Sequence, residues 1–208
     1  MNELEREQMK NIPYASVVGS LMYAQTCTRP DISFAVGILG RYQSNPGLDH
    51  WKAAKKILRY LQETKDHMLT YRKSKHLDVI GYCDSDFAGC VDTRKSTFGY
   101  LFLLAEGAIS WKSVKQSVIA ASTMEAEPLK IYCDNSAVVF FSKNDKYSKD
   151  AKHMEIKYFA VKEEVQKQRV SIEHISTHLM IADPLTKGLA PKTFNEHVVR
   201  MGIIGRHY

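Results

Sequence analysis

Cysteine is scarce in this chain of 208 residues: Cys27, Cys83, Cys90 and Cys133 are all there are, and none forms a CxxC pair. That excludes a zinc ribbon and a disulfide scaffold, and makes buried reduced thiols the expectation. No apolar run approaches the ~18 residues that a membrane-crossing helix needs. Met1–Lys10 alternates charge and has no apolar core of the kind a signal peptide carries, so an intracellular protein that is neither secreted nor membrane-bound is expected. Six prolines and 11 glycines are too few for a fibrous or low-complexity chain. What is present suits a globular fold: 44% hydrophobic and 25% charged residues, in a length that at ~150 residues per domain gives one to two domains.

Charge of one sign is only mildly in excess, with 29 Lys and Arg against 23 Asp and Glu, a net +6 and a pI near 9.0. Through Asp78 there are 12 basic and 8 acidic residues, and after it 17 and 15, so the first part is the more basic per residue. A polyanion partner and a generic solvated surface both fit that count. The basic residues gain a pattern after Asn45-Pro46-Gly47. There Trp51, Ala54, Leu58 and Leu61 fall on one helical face, and Lys52, Lys55, Lys56 and Arg59 largely on the other. A nucleic-acid backbone or plain water would satisfy that basic face.

Periodicity divides the chain in two. From Tyr14 to Leu61 it is helical, with apolar stretches at Val17–Ala24 and Ile32–Leu39 ahead of the basic helix. Beyond Arg72–His76 the period becomes that of strands: Leu77–Cys83, Thr97–Leu104, Ala108–Lys112 and Ser117–Ala121, with a hairpin turn at Ala105-Glu106-Gly107. A strand at Leu129–Cys133, a helix at Ser136–Ser142, a longer helix from about Asp150 to Gln168, a strand at Val170–Ile175 and a helix at Pro191–Met201 complete the reading. A meander of strands followed by alternating helix and strand predicts a mixed α/β sheet, residues 77–208, preceded by a helical segment, residues 1–76.

Two strands end alike, in Tyr82-Cys83-Asp84-Ser85-Asp86 and Tyr132-Cys133-Asp134-Asn135. Open α/β sheets place ligands where the chain leaves such strands, although an aspartate there also serves as a helix cap or turn former. Glu127 and Asp183 are further acidic positions. Four carboxylates gathered from separate elements would make an oxygen cage for hard cations such as Mg²⁺.

With these residues the chain resembles the C-terminal part of copia-type (Pseudoviridae-like) retrotransposon Pol polyproteins of plants. The carriers are Tyr82–Gly89, Arg94–Tyr100, Ile109–Ser113, Tyr132–Asn135, Lys152–Tyr158 and Ala182–Lys187 downstream, with Thr28–Ile32 and His50–Leu61 upstream. The resemblance implies a reverse transcriptase thumb or connection remnant followed by a ribonuclease H-like domain that cuts RNA in RNA–DNA hybrids. It implies two Mg²⁺ ions, replaceable by Mn²⁺, held by Asp84, Glu127, Asp134 and Asp183. Nucleic-acid contacts would come from Lys52, Lys55, Lys56, Arg59 and Lys112, and product release from His174 or His178. The rest of the reverse transcriptase would be a partner. A virus-like particle in the cytoplasm, or the nucleus, would be the compartment.

Two departures qualify this. No Asp-Asp dipeptide occurs, so the polymerase motif of reverse transcriptases is missing. In the family a long crossover helix begins at the Glu127 position, but here Pro128 and the next strand follow at once. Proline biases Glu127 toward an extended conformation. Seven extended residues from Glu127 to Asp134 span roughly 23 Å, whereas ions of a two-metal site lie ~4 Å apart. The expectation is a sheet missing its first crossover helix, with Glu127 displaced and activity weak or absent. The rival reading is a catalytically dead nucleic-acid-binding remnant.

Overall fold

A computed structural model describes residues 7–73, 77–86, 97–115, 129–143 and 163–206. The strand expected at 117–121, Glu127 and most of the helix expected at 150–168 lie outside the described residues; of that helix, 163–166 are helical.

Three helices open the chain: α1 (Tyr14–Cys27), α2 (Ser33–Gly40) and α3 (Leu48–Glu63), with a 3₁₀ turn at Pro30–Ile32 between the first two. They pack around Val18, Leu21, Val36, Leu39, Ala54 and Ile57. The Gly47 backbone N–H donates to His50 Nδ1 at 2.9 Å, satisfying one group at the start of α3. On α3 the inner line is Ala54 and Ile57, with Trp51 and Leu61 half-buried. Leu58, expected on that stripe, is 40% exposed, because the 3.6-residue period sets it at the edge of the Ala54–Ile57–Leu61 line.

The second part is built on a five-stranded mixed sheet in the order β4-β3-β2-β5-β6, comprising β2 (Val79–Asp86), β3 (Thr97–Leu104), β4 (Gly107–Lys115), β5 (Leu129–Cys133) and β6 (Val170–His174). β2, β3 and β4 form an antiparallel meander, while β5 runs parallel to β2 and β6 parallel to β5. This arrangement is compatible with the ribonuclease H-like fold implied by the resemblance. β3 and β4 are joined by Ala105 and Glu106, with φ of 50° and 61°, the pair of left-handed residues that a two-residue hairpin turn of matching twist requires.

β2 runs further than expected. Asp84 lies inside it, opposite Gly99 of β3, and not beyond its end, because the ladder with β3 continues to Asp86↔Thr97. Asp134 does fall just past the end of β5.

One sheet face is covered by Met180, Ile181 and Leu185, by Val198 of helix α5 (Pro191–Arg200), and by Ile203 of β7 (Ile203–Gly205), all against Leu101 and Leu103 of β3. The opposite face packs Cys133 and Ile172 on Val139 of helix α4 (Ser136–Lys143), with Cys83 beside them. β7 also pairs antiparallel with the short strand β1 (His67–Leu69), which follows α3 directly. The helical part touches the sheet part at several points, among them an edge-on contact of Tyr60 on α3 with Phe194 on α5, ring centroids 5.8 Å apart. Trp111 Nε1 on β4 donates to the Gln25 carbonyl of α1 at 2.7 Å. The 3₁₀ turn Pro30–Ile32 and α2 both pack on a second 3₁₀ turn, Asp183–Leu185.

Candidate metal centre

The site forms where three elements meet. Asp84 comes from β2, Asp134 from the exit of β5, and Asp183 opens the 3₁₀ turn Asp183–Leu185. β2 and β5 are in parallel register at Cys83↔Cys133, so the residues that follow each cysteine are neighbours. One carboxylate oxygen from each aspartate lies within 4.8 Å of the others, the one group of this kind among the described residues. Asp84 and Asp183 are buried, and Asp134 is half-buried.

Local sequence accounts for each placement. The alternative role for Asp134, capping α4, is taken by its neighbour: Asn135 Oδ1 accepts the N–H groups of Ala137 and Val138 at 3.1 and 3.3 Å. Asp134 is thereby free to face the other acids. Asp183 reaches the sheet because Gly99 lies beneath its turn. A Cβ there would come within 2.8 Å of both Leu185 Cβ and Thr186 Cγ2, so only glycine admits this approach.

Thr186 and Lys187 complete the surroundings. The buried Thr186 hydroxyl donates to Asp84 Oδ2 and also lies 3.0 Å from the Asp183 carbonyl. Lys187 Nζ stands 3.0 Å from Asp183 Oδ1 and 3.7 Å from Asp84 Oδ2. Asp183 Oδ1 accepts no regular hydrogen bond, so the nearby ammonium is its charge partner. Burial pushes the Asp183 carboxyl up to about 6, with Lys187 opposing and the charges of Asp84 and Asp134 reinforcing the rise. Burial draws the Lys187 ammonium down, but Asp183 and Asp84 more than offset it and hold the pKa above its ordinary value. On the far sheet face the thiols of Cys83 and Cys133 are hydrogen-bonded to each other, which, with burial, raises that of Cys83.

Three of the four carboxylates anticipated from sequence are thus gathered, and Glu127 lies outside the described residues. His174, at the end of β6, and His178, whose Nδ1 is 2.8 Å from Ser176 Oγ, are exposed and stand apart from the three-aspartate group. Lys52, Lys55, Lys56 and Arg59 are all exposed on α3, with Lys55 over the Trp51 ring at 5.8 Å and Lys52 paired to Asp49 at 2.9 Å. Lys112 is exposed on the edge strand β4. Gly99, Thr186 and Lys187 lie within the motifs that carry the resemblance, but the sequence assigns them no role in the site. A glycine inside a strand is a signal of close approach, whereas nothing in sequence brings residue 186 to residue 84.

Three carboxylates without a soft ligand form a donor set that fits a hard divalent cation. Among the described residues no helix is long and apolar enough to cross a membrane. A mixed α/β sheet with an acidic, oxygen-only centre gathered from its central strand, the exit of the neighbouring parallel strand and a turn packed on the sheet is the class of protein these features define.

Comparison with known proteins narrows the class. No protein-family model matches the chain. It is 38% identical, over 98% of its length, to the retrovirus-related Pol polyprotein from transposon TNT 1-94 of Nicotiana tabacum. It is 35% identical over 92% of its length to that from transposon RE2 of Arabidopsis thaliana. A shorter match, 47% identical over 57% of the chain, covers 84% of the secreted RxLR effector protein 161 of Plasmopara viticola. The chain belongs to the same homologous family as these proteins, and its relatives over most of its length are retrovirus-related transposon Pol polyproteins. It spans 17% and 15% of the two Pol polyproteins, so it corresponds to one stretch of a much longer protein.

Proposed function

We propose that this chain is a Pol fragment made of a reverse transcriptase remnant and a ribonuclease H-like domain, descended from an enzyme that hydrolyses RNA in RNA–DNA hybrids and itself impaired in that step. The observation that carries the reading is the convergence of Asp84, Asp134 and Asp183 from three separate elements. Asp84, at the centre of the sheet, would be shared between two Mg²⁺ or Mn²⁺ ions, with Asp134 and Asp183 on either side. Such ions activate a water and stabilise the leaving oxygen of a phosphodiester. The chain's own residues hold this arrangement: Thr186 orients Asp84 by its hydrogen bond, and Gly99 seats the turn that bears Asp183.

Impairment rests on Glu127. β5 is extended from Leu129 onward, two positions after Glu127 in the sequence, which supports the expectation, drawn from Pro128, that Glu127 does not join Asp134. The absence of any Asp-Asp dipeptide removes polymerase chemistry of the usual type.

The second reading, a binding remnant without cleavage, is favoured by the exposed row Lys52, Lys55, Lys56 and Arg59. A labelled RNA–DNA hybrid incubated with the protein and Mg²⁺ separates the readings. Weak or no cleavage is expected, together with hybrid binding that falls steeply with salt and weakens in the Lys55→Glu/Lys56→Glu variant. Robust cutting that is abolished by Asp84→Asn would overturn the impairment claim. Absence of any binding would overturn the binding reading.

A further inference from the structure

The proposed function leaves one charged side chain at the centre without a role. Lys187 follows Asp183 by four residues, and its backbone N–H donates to the Asp183 carbonyl at 3.1 Å, so its stem starts in the same turn as the carboxylate. Its ammonium then bends back over the site, 3.0 Å from Asp183 Oδ1 and 3.7 Å from Asp84 Oδ2. Lys187 is 31% exposed, whereas both carboxylates are 5% exposed. Among the described residues it is the one cation paired with either acid.

Three carboxylates with oxygens within 4.8 Å repel one another strongly in a place largely shut off from water. A positive charge must stand among them if all three are to be ionised there. Lys187 supplies one, through the same oxygens that a divalent cation would require. Asp183 Oδ1 has no regular hydrogen bond to hold it in place of that ammonium. The two cations therefore compete for one position.

We infer that Lys187 is a built-in counter-ion that closes the three-aspartate cluster in the cation-free chain and has to leave Asp183 and Asp84 when a divalent cation binds. The inference rests on the cation-binding reading of the site and adds to it a brake on affinity. A merely structural ion pair behaves differently: its loss loosens the cluster and leaves cation affinity unchanged or lower. Loss of a competitor raises it.

The test titrates Mn²⁺ calorimetrically into the full chain, as wild type, Lys187→Met and Lys187→Arg, and records the melting temperature of each in EDTA. Lys187→Met is expected to bind Mn²⁺ about tenfold more tightly and to melt several degrees lower in EDTA, with Lys187→Arg close to wild type in both. Unchanged or weaker Mn²⁺ affinity in Lys187→Met overturns the inference. A second measurement needs no variant: acylation of the Lys187 amine by acetic anhydride, read by peptide mass spectrometry, is expected to rise when Mn²⁺ is added to wild type but not when KCl of equal ionic strength is added. Mn²⁺ bound without any rise sinks the Lys187 inference alone. Failure of both wild type and variant to bind Mn²⁺ sinks the cation reading itself, and this inference with it.

Discussion

Asp183 shows how far the environment of one residue can carry it from its solution behaviour. An ordinary aspartate releases its proton near 3.8, but buried on β3 beside Asp84 and Asp134 it keeps the proton to about 6. Between those values the folded chain binds more protons than the unfolded one, so this group stabilises the fold fully below about 3.8 and loses that contribution as pH rises through about 6. The expected outcome is that Asp183→Asn, unable to titrate, shows a smaller loss of stability from pH 4 to pH 7 than wild type in urea unfolding with EDTA present. Equal slopes in the two proteins would show that the carboxyl is not buried against its neighbours as described. The type and position of this residue were legible in the sequence, since a carboxylate in Ala182-Asp183-Pro184 stood out as a ligand candidate. Its environment was not, because it comes from Gly99 and Asp183, 84 positions apart in the chain, being folded back into contact.

The elements divide along the same line. β3 at Thr97–Leu104 and β5 at Leu129–Cys133 carry enough alternating or continuous apolar residues to be read with correct ends, and α3 announces itself by its period. β1 and β7, three residues each, have too short a pattern to register, and they exist because they pair with each other across 132 residues, from Thr70 to Gly202 at their ends. Tertiary partners likewise explain Thr28-Arg29-Pro30-Asp31-Ile32, in which Pro30-Asp31 reads from sequence as no more than the start signal of a helix. Arg29 Nε and Nη2 donate to Asp31 at 3.0 and 2.7 Å, Tyr60 of α3 donates to Asp31 Oδ2 at 2.7 Å, and Arg29 Nη2 reaches Thr64 Oγ1 at 2.9 Å. Burial, with Asp31 beside it, raises the Tyr60 hydroxyl and keeps it protonated as the donor. The network ties the 3₁₀ turn Pro30–Ile32 to the end of α3, with side-chain exposures of 9% for Arg29 and 0% for Asp31. Removing one partner from such a pair leaves an uncompensated buried charge. Asp31→Ala is therefore expected to cost about 3–5 kcal/mol in urea unfolding, and Arg29→Met/Asp31→Leu distinctly less. A cost below about 1 kcal/mol for Asp31→Ala, the range of an exposed pair, would refute the network's role.

At the scale of the whole molecule the open question is whether the helical part and the sheet part unfold as one body. Each has its own core, the first around Val18, Val36 and Ala54, the second around Leu101, Met180 and Val198. Separate cores argue for independent units. Against that stand the ties between them: the Trp111–Gln25 hydrogen bond, the packing of Pro30–Ile32 and α2 on the turn that bears Asp183, and β1, which leaves α3 only to pair with the C-terminal β7. These ties join the first core to the centre of the second, at its carboxylate turn, where loosening one side exposes the other. One cooperative transition is therefore expected. The chain contains two tryptophans, and they fall one on each side, Trp51 on α3 and Trp111 on β4. In the Trp51→Phe protein the fluorescence comes from Trp111 on β4 and senses the sheet part together with its seam to α1, whereas in wild type far-ultraviolet dichroism is weighted toward the helices. Coincident urea midpoints, with Trp51→Phe referred to its own dichroism curve, would show that the remnant braces the metal-site turn. Two resolved midpoints would make the helical part a separate domain and remove its hold on Asp183.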